Sequence, residues 1–442
     1  MPDLVRPGDP RYDLSRSQFI GRPHEVLPSL IARCATARDV VEALDRAAGG
    51  PFAIRGGGHD NACHSSTSGL LIDLAPCDAV EPDGDLVHVG GGVRIGRLTE
   101  VLAAQGKLVP VGSCPSVGVV GSALGGGFGA DGRRHGLTCD ALVAAELVVA
   151  GGRVITADDD LLWALRGGGG GHFGVVTRAT FRTTPATPRT HLRLVWDFAH
   201  AADLARWWQD WAPDAPDDVS VELVLLGPEH PDEPPTALLL GTAPDRSVLA
   251  GIPSFGGPRE VEVVDLTAAE AVRHNATPHA AASLDPVGIP LVSARPGMST
   301  AKTGFFDHPL PTDVLTELLT RFTADRVRGE LRELAFTPWR GAYARVPATA
   351  TAFAHRAPAF LLKHTTLVGP GGAARRGHEV LARLEEDRRL VAPHGTGGVY
   401  PNFRDPDLTD WRTAYHGVNQ GRLREVRREN DPTGFFTTPQ QP

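Results

Sequence analysis

The glycines of this chain are concentrated in four clusters, and all four lie within the first 180 residues. The clusters fall at 49–58, 90–96, 112–136 and 167–174. Glycine lets the backbone turn sharply and lets another group approach it closely. The pattern between the clusters alternates helix and strand. It predicts an α+β domain that repeatedly brings bare backbone to one place.

Local signals place the first elements. Thr36 is positioned to cap a helix that continues to about Ala48. PFAIR and GLLIDLA are typical of short strands, and the first of these leads directly into the glycines of RGGGH. ALVAAELVVAGGRVITA predicts a β-hairpin that turns at Gly151 and Gly152.

The sequence changes character near residue 188 and again near residue 390. Between them, THLRLVWDF, VSVELVLLG, PTALLLGTA and PAFLLKHTTLV are strand-like, and two segments are helical. This spacing favours a mostly antiparallel sheet with helices on one face. We therefore divide the chain into residues 1–187, 188–390 and 391–442.

Composition excludes several function classes. A net charge of -8 argues against a nucleic-acid partner, and no apolar run is long enough to span a membrane. The N-terminus lacks the layout of a signal peptide, so cytoplasmic residence is expected. Five cysteines without a CxxC pair indicate neither a disulfide framework nor a structural zinc site, and we predict no metal.

One glycine motif is misleading. Gly127, Gly129 and Gly132 have the GxGxxG spacing of a Rossmann turn. A Rossmann turn follows a strand and opens a long helix, whereas this run follows GVVGSAL and precedes polar DGRRHGLTCD. The Rossmann interpretation is therefore rejected. Three glycine loops together supply amide-lined surfaces that suit a ligand longer than a single phosphate.

The motifs, taken in order, resemble those of a known family. RGGGH is followed by GSCPSVGVVGSALGGGFG, then by LLWALRGGGGGHFGVVT, and near the C-terminus by YPNF and DP. This order is similar to the berberine bridge enzyme-like branch of the vanillyl-alcohol-oxidase type flavoproteins. The resemblance implies a two-subdomain PCMH-type FAD-binding domain in residues 1–187, completed by 391–442. Residues 188–390 would form the substrate domain, an antiparallel sheet backed by helices.

The resemblance also implies two covalent tethers to FAD. His59 would bond to the 8α-methyl group and Cys114 to ring carbon 6. Taken alone, His59 is more typical of a turn and Cys114 of a small buried residue. Cys63 and His64 match no family position and are interpreted as structural. The remaining predicted cofactor-binding residues are Arg55, Gly56, Gly57, Gly58, Asp60, Ser113, Val117, Gly118, Gly121, Ser122, Gly126, Gly127, Gly129, Val176, Tyr400 and Asn402.

Three positions refine the expected chemistry. A small residue at Val117 goes with oxidases in this family, where bulkier residues go with dehydrogenases, although Val117 can also be simple core. Ser122 stands where plant relatives often have histidine and can still donate one hydrogen bond. Phe403 replaces the last tyrosine of Y-x-N-Y, which puts a sugar-oxidase mechanism in doubt.

A catalytic base must then come from elsewhere. His364 falls where relatives place a glutamate or glutamine, and strand alternation puts it on one face with Leu362 and Thr366. A neutral imidazole suits proton removal, although His364 could equally be a structural histidine. Tyr343, placed on the preceding strand, and Tyr400 are further catalytic candidates, and Tyr400 is expected to contact the flavin rather than the substrate.

These expectations describe an FAD-dependent oxidase. A small-molecule alcohol or amine, plausibly a secondary-metabolite intermediate, would give a hydride to covalently bound flavin, and O₂ would reoxidise the flavin to yield hydrogen peroxide. The protein would be a monomer or homodimer. Two alternatives stay open: a flavoprotein that uses FAD as a scaffold for a non-redox cyclisation or isomerisation, and a non-enzymatic flavin-binding protein.

Overall fold

The part of the chain that the structure describes contains four β-sheets, the largest of seven strands. The computed structural model describes residues 1–19, 26–47, 49–275, 297–369 and 372–442. The strands are β1 Asp3–Val5, β2 Leu30–Arg33, β3 Phe52–Arg55, β4 Leu70–Asp73, β5 Val80–Asp83, β6 Leu86–Gly90, β7 Lys107–Leu108, β8 Leu142–Val148, β9 Val154–Thr156, β10 Val175–Arg182, β11 Thr184–Pro185, β12 Arg189–Asp197, β13 Ser220–Gly227, β14 Thr236–Ala243, β15 Glu260–Leu266, β16 Met298–Phe306, β17 Glu330–Pro338 and β18 Phe360–Val368. The helices are α1 Tyr12–Arg16, α2 Ala37–Ala47, α3 Ile95–Ala103, α4 Val119–Leu124, α5 Gly132–His135, α6 Thr138–Ala141, α7 Asp159–Leu165, α8 Ala201–Trp211, α9 Ala268–Asn275, α10 Thr312–Thr323, α11 Ala342–Arg345, α12 Ala373–Val391, α13 Trp411–His416 and α14 Gln420–Asn430.

The glycine-rich first region contains three of the sheets. One has the order β1-β2-β4-β3, with β4 parallel to both β2 and β3, another has the order β5-β6-β10-β8-β9, and the third pairs β11 with β7. Thr36 caps α2 as predicted, because its Oγ1 accepts a hydrogen bond from the Asp39 amide at 3.2 Å. Ala48 lies outside the described residues. The β8–β9 hairpin turns at Gly151 and Gly152, which confirms that prediction.

The structure also confirms that the GxGxxG run is not a Rossmann turn. The glycines follow helix α4 rather than a strand, and the next helix, α5, has only four residues. The run is therefore part of a loop.

The third region is one antiparallel sheet with the order β15-β12-β14-β13-β17-β18-β16. Successive side chains along each strand point to opposite faces of the sheet. Leu223 and Leu225 of β13 point to one face, where they are buried with Trp208 of α8 and Phe322 of α10. The predicted antiparallel sheet with helices on one face is therefore confirmed, and the opposite face of this sheet is turned towards the first region.

The residues after α12 return to the first region. Leu423 and Val426 of α14 are buried in the same apolar cluster as Leu147 and Trp163. Among the described residues, no helix has the length and apolar character needed to cross a membrane.

Candidate active site

A cavity of about 720 Å³ lies between the glycine loops and the uncovered face of the seven-stranded sheet. This volume is in the range of cofactor and ligand sites. Most of the predicted cofactor-binding residues border it. These are Gly56, Gly57, Gly58, His59, Asp60, Ser113, Cys114, Val117, Gly118, Gly121, Ser122, Gly129, Val176, Tyr400 and Asn402.

Two of the glycine loops touch each other at this wall. A Cβ added to Gly57 would lie 2.2 Å from the Gly118 nitrogen, and one added to Gly118 would lie 2.6 Å from the Gly57 nitrogen. No side chain fits at such distances, so glycine is required at both positions. The contact brings RGGGH against the CPSVG segment.

Several amides in the glycine loops are available for a ligand. Within the described parts of the chain, no residue accepts a hydrogen bond from the N–H groups of Gly57, Gly58 or His59, or from those of Gly170 and Gly171. Consecutive free amides form a surface that binds phosphate oxygens. The loops therefore fit the pyrophosphate of FAD.

The two predicted tether residues meet through a serine. His59 Nε2 lies 2.8 Å from Ser116 Oγ, and Cys114 Sγ lies 3.3 Å from the same oxygen. The His59 ring is stacked on Phe19 with a centroid distance of 4.0 Å. Burial, assisted by the positive charge of Arg94, lowers the pKa of His59 to about 3. The imidazole is therefore neutral at physiological pH and has a lone pair for bond formation.

Three predicted cofactor-binding residues do not border the cavity. Arg55 is buried beneath the loop, where its Nη2 lies 3.3 Å from Asp73 Oδ2. Gly126 and Gly127 are also set back, and the Gly127 amide donates to the Tyr400 hydroxyl at 2.7 Å. Among the predicted cofactor-binding residues, these three instead hold the loops in place behind the cavity wall.

Tyr400 borders the cavity, but its hydroxyl already has protein partners. It accepts hydrogen bonds from the Gly127 amide and from Asn402 Nδ2, the latter at 3.1 Å. Asn402 Nδ2 also donates to the Ser122 carbonyl at 2.8 Å. Burial raises the pKa of Tyr400, so the phenol stays protonated. The residue fastens the C-terminal segment to the glycine loops.

Tyr343 does not border the cavity, so its prediction as a catalytic candidate is wrong. It belongs to α11 rather than to a strand, and its ring is stacked on Trp339 at 4.6 Å. A Cβ added to Gly132 would overlap the Tyr343 hydroxyl. The tyrosine therefore fills space behind the glycine loop.

His364 lies on the wrong face of β18 for a catalytic base. Lys363, Thr365 and Leu367 border the cavity, so His364 points away from it, towards α12. Neither ring nitrogen of His364 has a hydrogen-bond partner among the described residues. Burial, with the charge of Arg383, lowers the pKa of His364 to about 3. The sequence analysis turned the wrong face of β18 towards the cavity. Successive side chains of a strand point to opposite faces, so the neighbours of His364 border the cavity instead.

The sheet wall instead presents charged residues that the sequence reasoning missed. Lys363 Nζ forms an ion pair with Glu333 Oε1 at 2.9 Å. On the neighbouring strand, Thr337 Oγ1 donates to Glu222 Oε1 at 2.9 Å. Among the described residues no protein group donates to the other Glu222 oxygen. A charged residue inside an otherwise apolar strand, as in VSVELVLLG, was the available signal.

Electrostatics distinguish the charged residues of the sheet wall. Burial raises the pKa of Glu222, and the charge of Lys363 only partly opposes this rise. Burial alone would lower the pKa of Lys363, but Glu333 outweighs it and the pKa is raised. Lys363 Nζ also lies 5.5 Å from the centre of the Phe403 ring. Lysine is thus a fixed cation, whereas Glu222 is the carboxyl that can exchange a proton.

A second cation that the sequence analysis missed borders the cavity, where Arg404 Nε lies 3.9 Å from Asp60 Oδ2. Arg404, in the segment after YPNF, lies with Nη2 3.2 Å from His172 Nε2. Thr438 Oγ1 lies 2.8 Å from the other ring nitrogen of His172. Burial lowers the pKa of His172 well below its ordinary value, so the positive charge here belongs to Arg404. A guanidinium at this position suits an anionic ligand.

Comparison with known proteins shows what the chain is similar to. A family model described as "FAD binding domain" matches residues 28–158, and one described as "Berberine and berberine like" matches residues 399–441. The uncharacterized FAD-linked oxidoreductase YvdP of Bacillus subtilis is 29% identical over 99% of this chain and 97% of its own length. Xylooligosaccharide oxidase of Thermothelomyces thermophilus is 27% identical over 93% of this chain and 86% of its own length.

The same similarity holds for solved structures. BBE-like 28 from Arabidopsis thaliana matches with a TM-score of 0.86 at 23% identity, over 99% of this chain and 97% of that one. This match confirms the predicted fold class, and the two family models confirm the resemblance over residues 28–158 and 399–441.

Proposed function

Since family models for an FAD binding domain and for berberine-like proteins match parts of this chain, we propose that it is a berberine bridge enzyme-like FAD-linked oxidoreductase, an oxidase with doubly tethered FAD that acts on a small alcohol or amine. The observation that carries the proposal is the meeting of His59 and Cys114, which both border the cavity, at the hydroxyl of buried Ser116. Two nucleophilic side chains from separate glycine loops reach the same point.

The chain's own groups would hold the cofactor. The free amides of Gly57 and Gly58 would bind the pyrophosphate, and Arg404 adds a positive charge to the same cavity. His59 and Cys114 would fix the ring system by covalent bonds. When bound, FAD supplies a two-electron acceptor for the substrate's C–H hydrogen and passes those electrons to O₂.

Glu222 would accept the proton from the substrate's O–H or N–H group. One oxygen is held by Thr337, and the other has no donor among the described residues that surround it. Lys363 cannot accept a proton because Glu333 keeps it charged. A carboxyl with a raised pKa is a better proton acceptor than an ordinary one near neutral pH. This assignment replaces His364.

The wall around Glu222 also restricts the substrate. Val224 and Leu240 border the cavity near the carboxyl, and polar Ser220, Thr242 and Lys363 border it as well, so the wall combines apolar and polar groups. A compact molecule with one hydroxyl or amine next to the oxidised carbon suits this wall. Phe403 offers no phenol, which disfavours a mechanism that relies on a phenolate there.

Val117 supports an oxidase rather than a dehydrogenase. It borders the cavity, where its short side chain leaves room for O₂. The test is to photoreduce the purified protein and admit air. Rapid return of the oxidised spectrum is expected, with slower return in Val117→Leu. Protein that stays reduced in air would contradict the oxidase assignment.

The central experiment is acid precipitation of the purified protein. Yellow colour that stays in the pellet is expected in the wild type and in each of His59→Ala and Cys114→Ala, with loss only in the double variant. If the wild type releases all its flavin, the covalent proposal is wrong. Bleaching of the flavin by substrate under nitrogen, followed by peroxide release in air, separates an oxidase from a protein that uses FAD as a non-redox scaffold.

A further inference from the structure

Ser116 is the one side chain that contacts both proposed tether residues in the described structure. Its hydroxyl oxygen lies 2.8 Å from His59 Nε2 and 3.3 Å from Cys114 Sγ. The residue is 2% exposed, so water does not compete for these bonds. A hydroxyl can donate one hydrogen bond and accept another at the same time. The three side chains therefore form one continuous hydrogen-bonded chain.

The backbone holds Ser116 in place. The carbonyls on either side of it, those of Pro115 and Val117, accept hydrogen bonds from the Gly96 and Ile95 amides, both at 2.9 Å. The Val117 amide in turn donates to the Cys114 carbonyl at 3.2 Å. The hydroxyl is thus presented by a fixed loop rather than by a free side chain.

The direction of the hydrogen bonds decides which atoms can react. A neutral imidazole has one N–H and one lone pair. If Nε2–H donates to Ser116 Oγ, the lone pair lies on Nδ1, which has no partner among the described residues. The serine proton then points to Cys114 Sγ, so a deprotonated sulfur, the nucleophilic form of cysteine, would have a hydrogen-bond donor there. Reversing the direction would place the proton on Nδ1 and remove both nucleophiles.

We propose that Ser116 is a positioning residue for FAD attachment, which exposes Nδ1 of His59 and transfers protons between His59 and Cys114. This rests on the proposed function, because it presupposes that both residues bond to the cofactor. Nothing in the motif itself assigns a role to this serine. Its effect is on how the cofactor is attached, and not on the later oxidation of substrate.

The bond from His59 to the cofactor forms first. Nδ1 of His59 bonds to the 8α-methyl carbon, one C–H bond breaks, and the methyl proton goes to water. The alkylated imidazole loses its Nε2 proton through Ser116 Oγ to the Cys114 thiolate. The electron pair of the broken C–H bond remains on the ring system and is taken by O₂, the oxidant that the proposed activity already uses.

The second bond uses the same path in reverse. Cys114 Sγ bonds to ring carbon 6, and its thiol proton passes through Ser116 Oγ to Nε2, which now has a lone pair and releases the proton to water. One ring C–H bond breaks, its proton goes to water, and O₂ again takes two electrons. Each bond therefore consumes one O₂ and yields one hydrogen peroxide.

The experiment compares Ser116→Ala with the wild type, in purified full-length protein. After denaturation and proteolysis, doubly attached FAD links the peptides that contain His59 and Cys114 into one flavin-bearing product. Removing a positioned proton-transfer group slows such a step by about 10²-fold or more, so we expect at least about a tenfold fall in the doubly linked product. Ser68→Ala, at an exposed position that does not border the cavity, is the control and should leave the doubly linked product unchanged.

An isosteric pair guards against a folding defect. Ser116→Thr keeps the hydroxyl and Ser116→Val replaces it with a methyl group of similar size. Double attachment in the threonine variant but not in the valine variant supports the proposal. Equal double attachment in the alanine or valine variant and the wild type overturns it while leaving the proposed function intact. If the wild type itself lacks covalent flavin, the proposed function fails instead.

Discussion

The two walls of the cavity differ in what they present to a ligand. The wall from the first region presents backbone amides, with the side chains of His59 and Cys114 in the glycine-rich loops. The wall from the seven-stranded sheet presents side chains on a regular surface, among them Glu222 and Lys363. The first wall suits a large cofactor that must be held along its length. The second suits a small substrate that must be recognised at one point.

This difference predicts how each wall responds to substitution. A backbone wall depends on the absence of side chains, so adding one methyl group disrupts it. A side-chain wall keeps its shape when one side chain is exchanged for another of equal size, and only the chemistry changes. Substitutions on the first wall should therefore abolish cofactor binding, whereas those on the second should abolish turnover and leave the cofactor in place.

The largest effect is expected from Gly57→Ala. The added Cβ would lie 2.2 Å from the Gly118 nitrogen, and backbone cannot move aside as a side chain can. We expect a loss of about 3 kcal/mol or more in the free energy of unfolding, together with loss of bound flavin. Thermal unfolding and the flavin absorbance that survives gel filtration measure both. Gly50→Ala, where the nearest atom is 3.9 Å away, is the control.

Glu222→Gln should give the next largest effect. The amide keeps the size and the Thr337 contact of the carboxylate but cannot take up a proton. We expect kcat/KM to fall by about 10²- to 10⁴-fold, with flavin content unchanged. Steady-state kinetics measure kcat/KM, and the flavin absorbance of the denatured protein measures the flavin content. Full activity in the variant would remove Glu222 from the mechanism.

The pH profile should show a smaller, graded effect. A base works only when deprotonated, so kcat/KM should fall as the pH decreases through the pKa of Glu222, which burial raises above the ordinary value of about 4.3. The charge of Lys363 lowers this pKa, so Lys363→Met should move the acidic limb to higher pH. If the acidic limb of the Lys363→Met profile moved to lower pH instead, the assignment of Glu222 as the base would be wrong.

The smallest effect is expected at His364. Its side chain lies on the helix-covered face of β18, so His364→Gln should leave kcat and the pH profile of turnover unchanged. Stability can change there without consequence for the chemistry. Loss of turnover with unchanged stability and flavin content would mean that the faces of this strand are reversed in solution.

The same contrast explains which features could be predicted from the sequence. Glycine is required at Gly57 and Gly118, where two loops touch. The RGGGH and CPSVG segments can therefore be recognised as motifs in the sequence. The proposed tether residues His59 and Cys114 could be located from those motifs, and both border the cavity. The Thr36 cap and the Gly151–Gly152 hairpin were also predictable, because their signals are local.

The sheet wall was not predictable in the same way. On β18 both faces are buried, so the strand lacks the polar–apolar alternation that marks a single covered face. The choice between Lys363 and His364 then depends on which face the helices cover, and this is a property of the whole sheet. Glu222 lies 141 positions before Lys363 in the sequence. The two residues come near each other in the fold because their strands, β13 and β18, both pair with β17.

The return of the C-terminal segment to the glycine loops also fixes the order in which the site is assembled during synthesis. Gly127 requires the hydroxyl of Tyr400, and His172 requires Arg404 and Thr438, all made more than 200 residues later. A nascent chain can form the amide loops early but cannot close the cavity around a ligand. Lasting retention of the cofactor must therefore begin only after translation has passed residue 438.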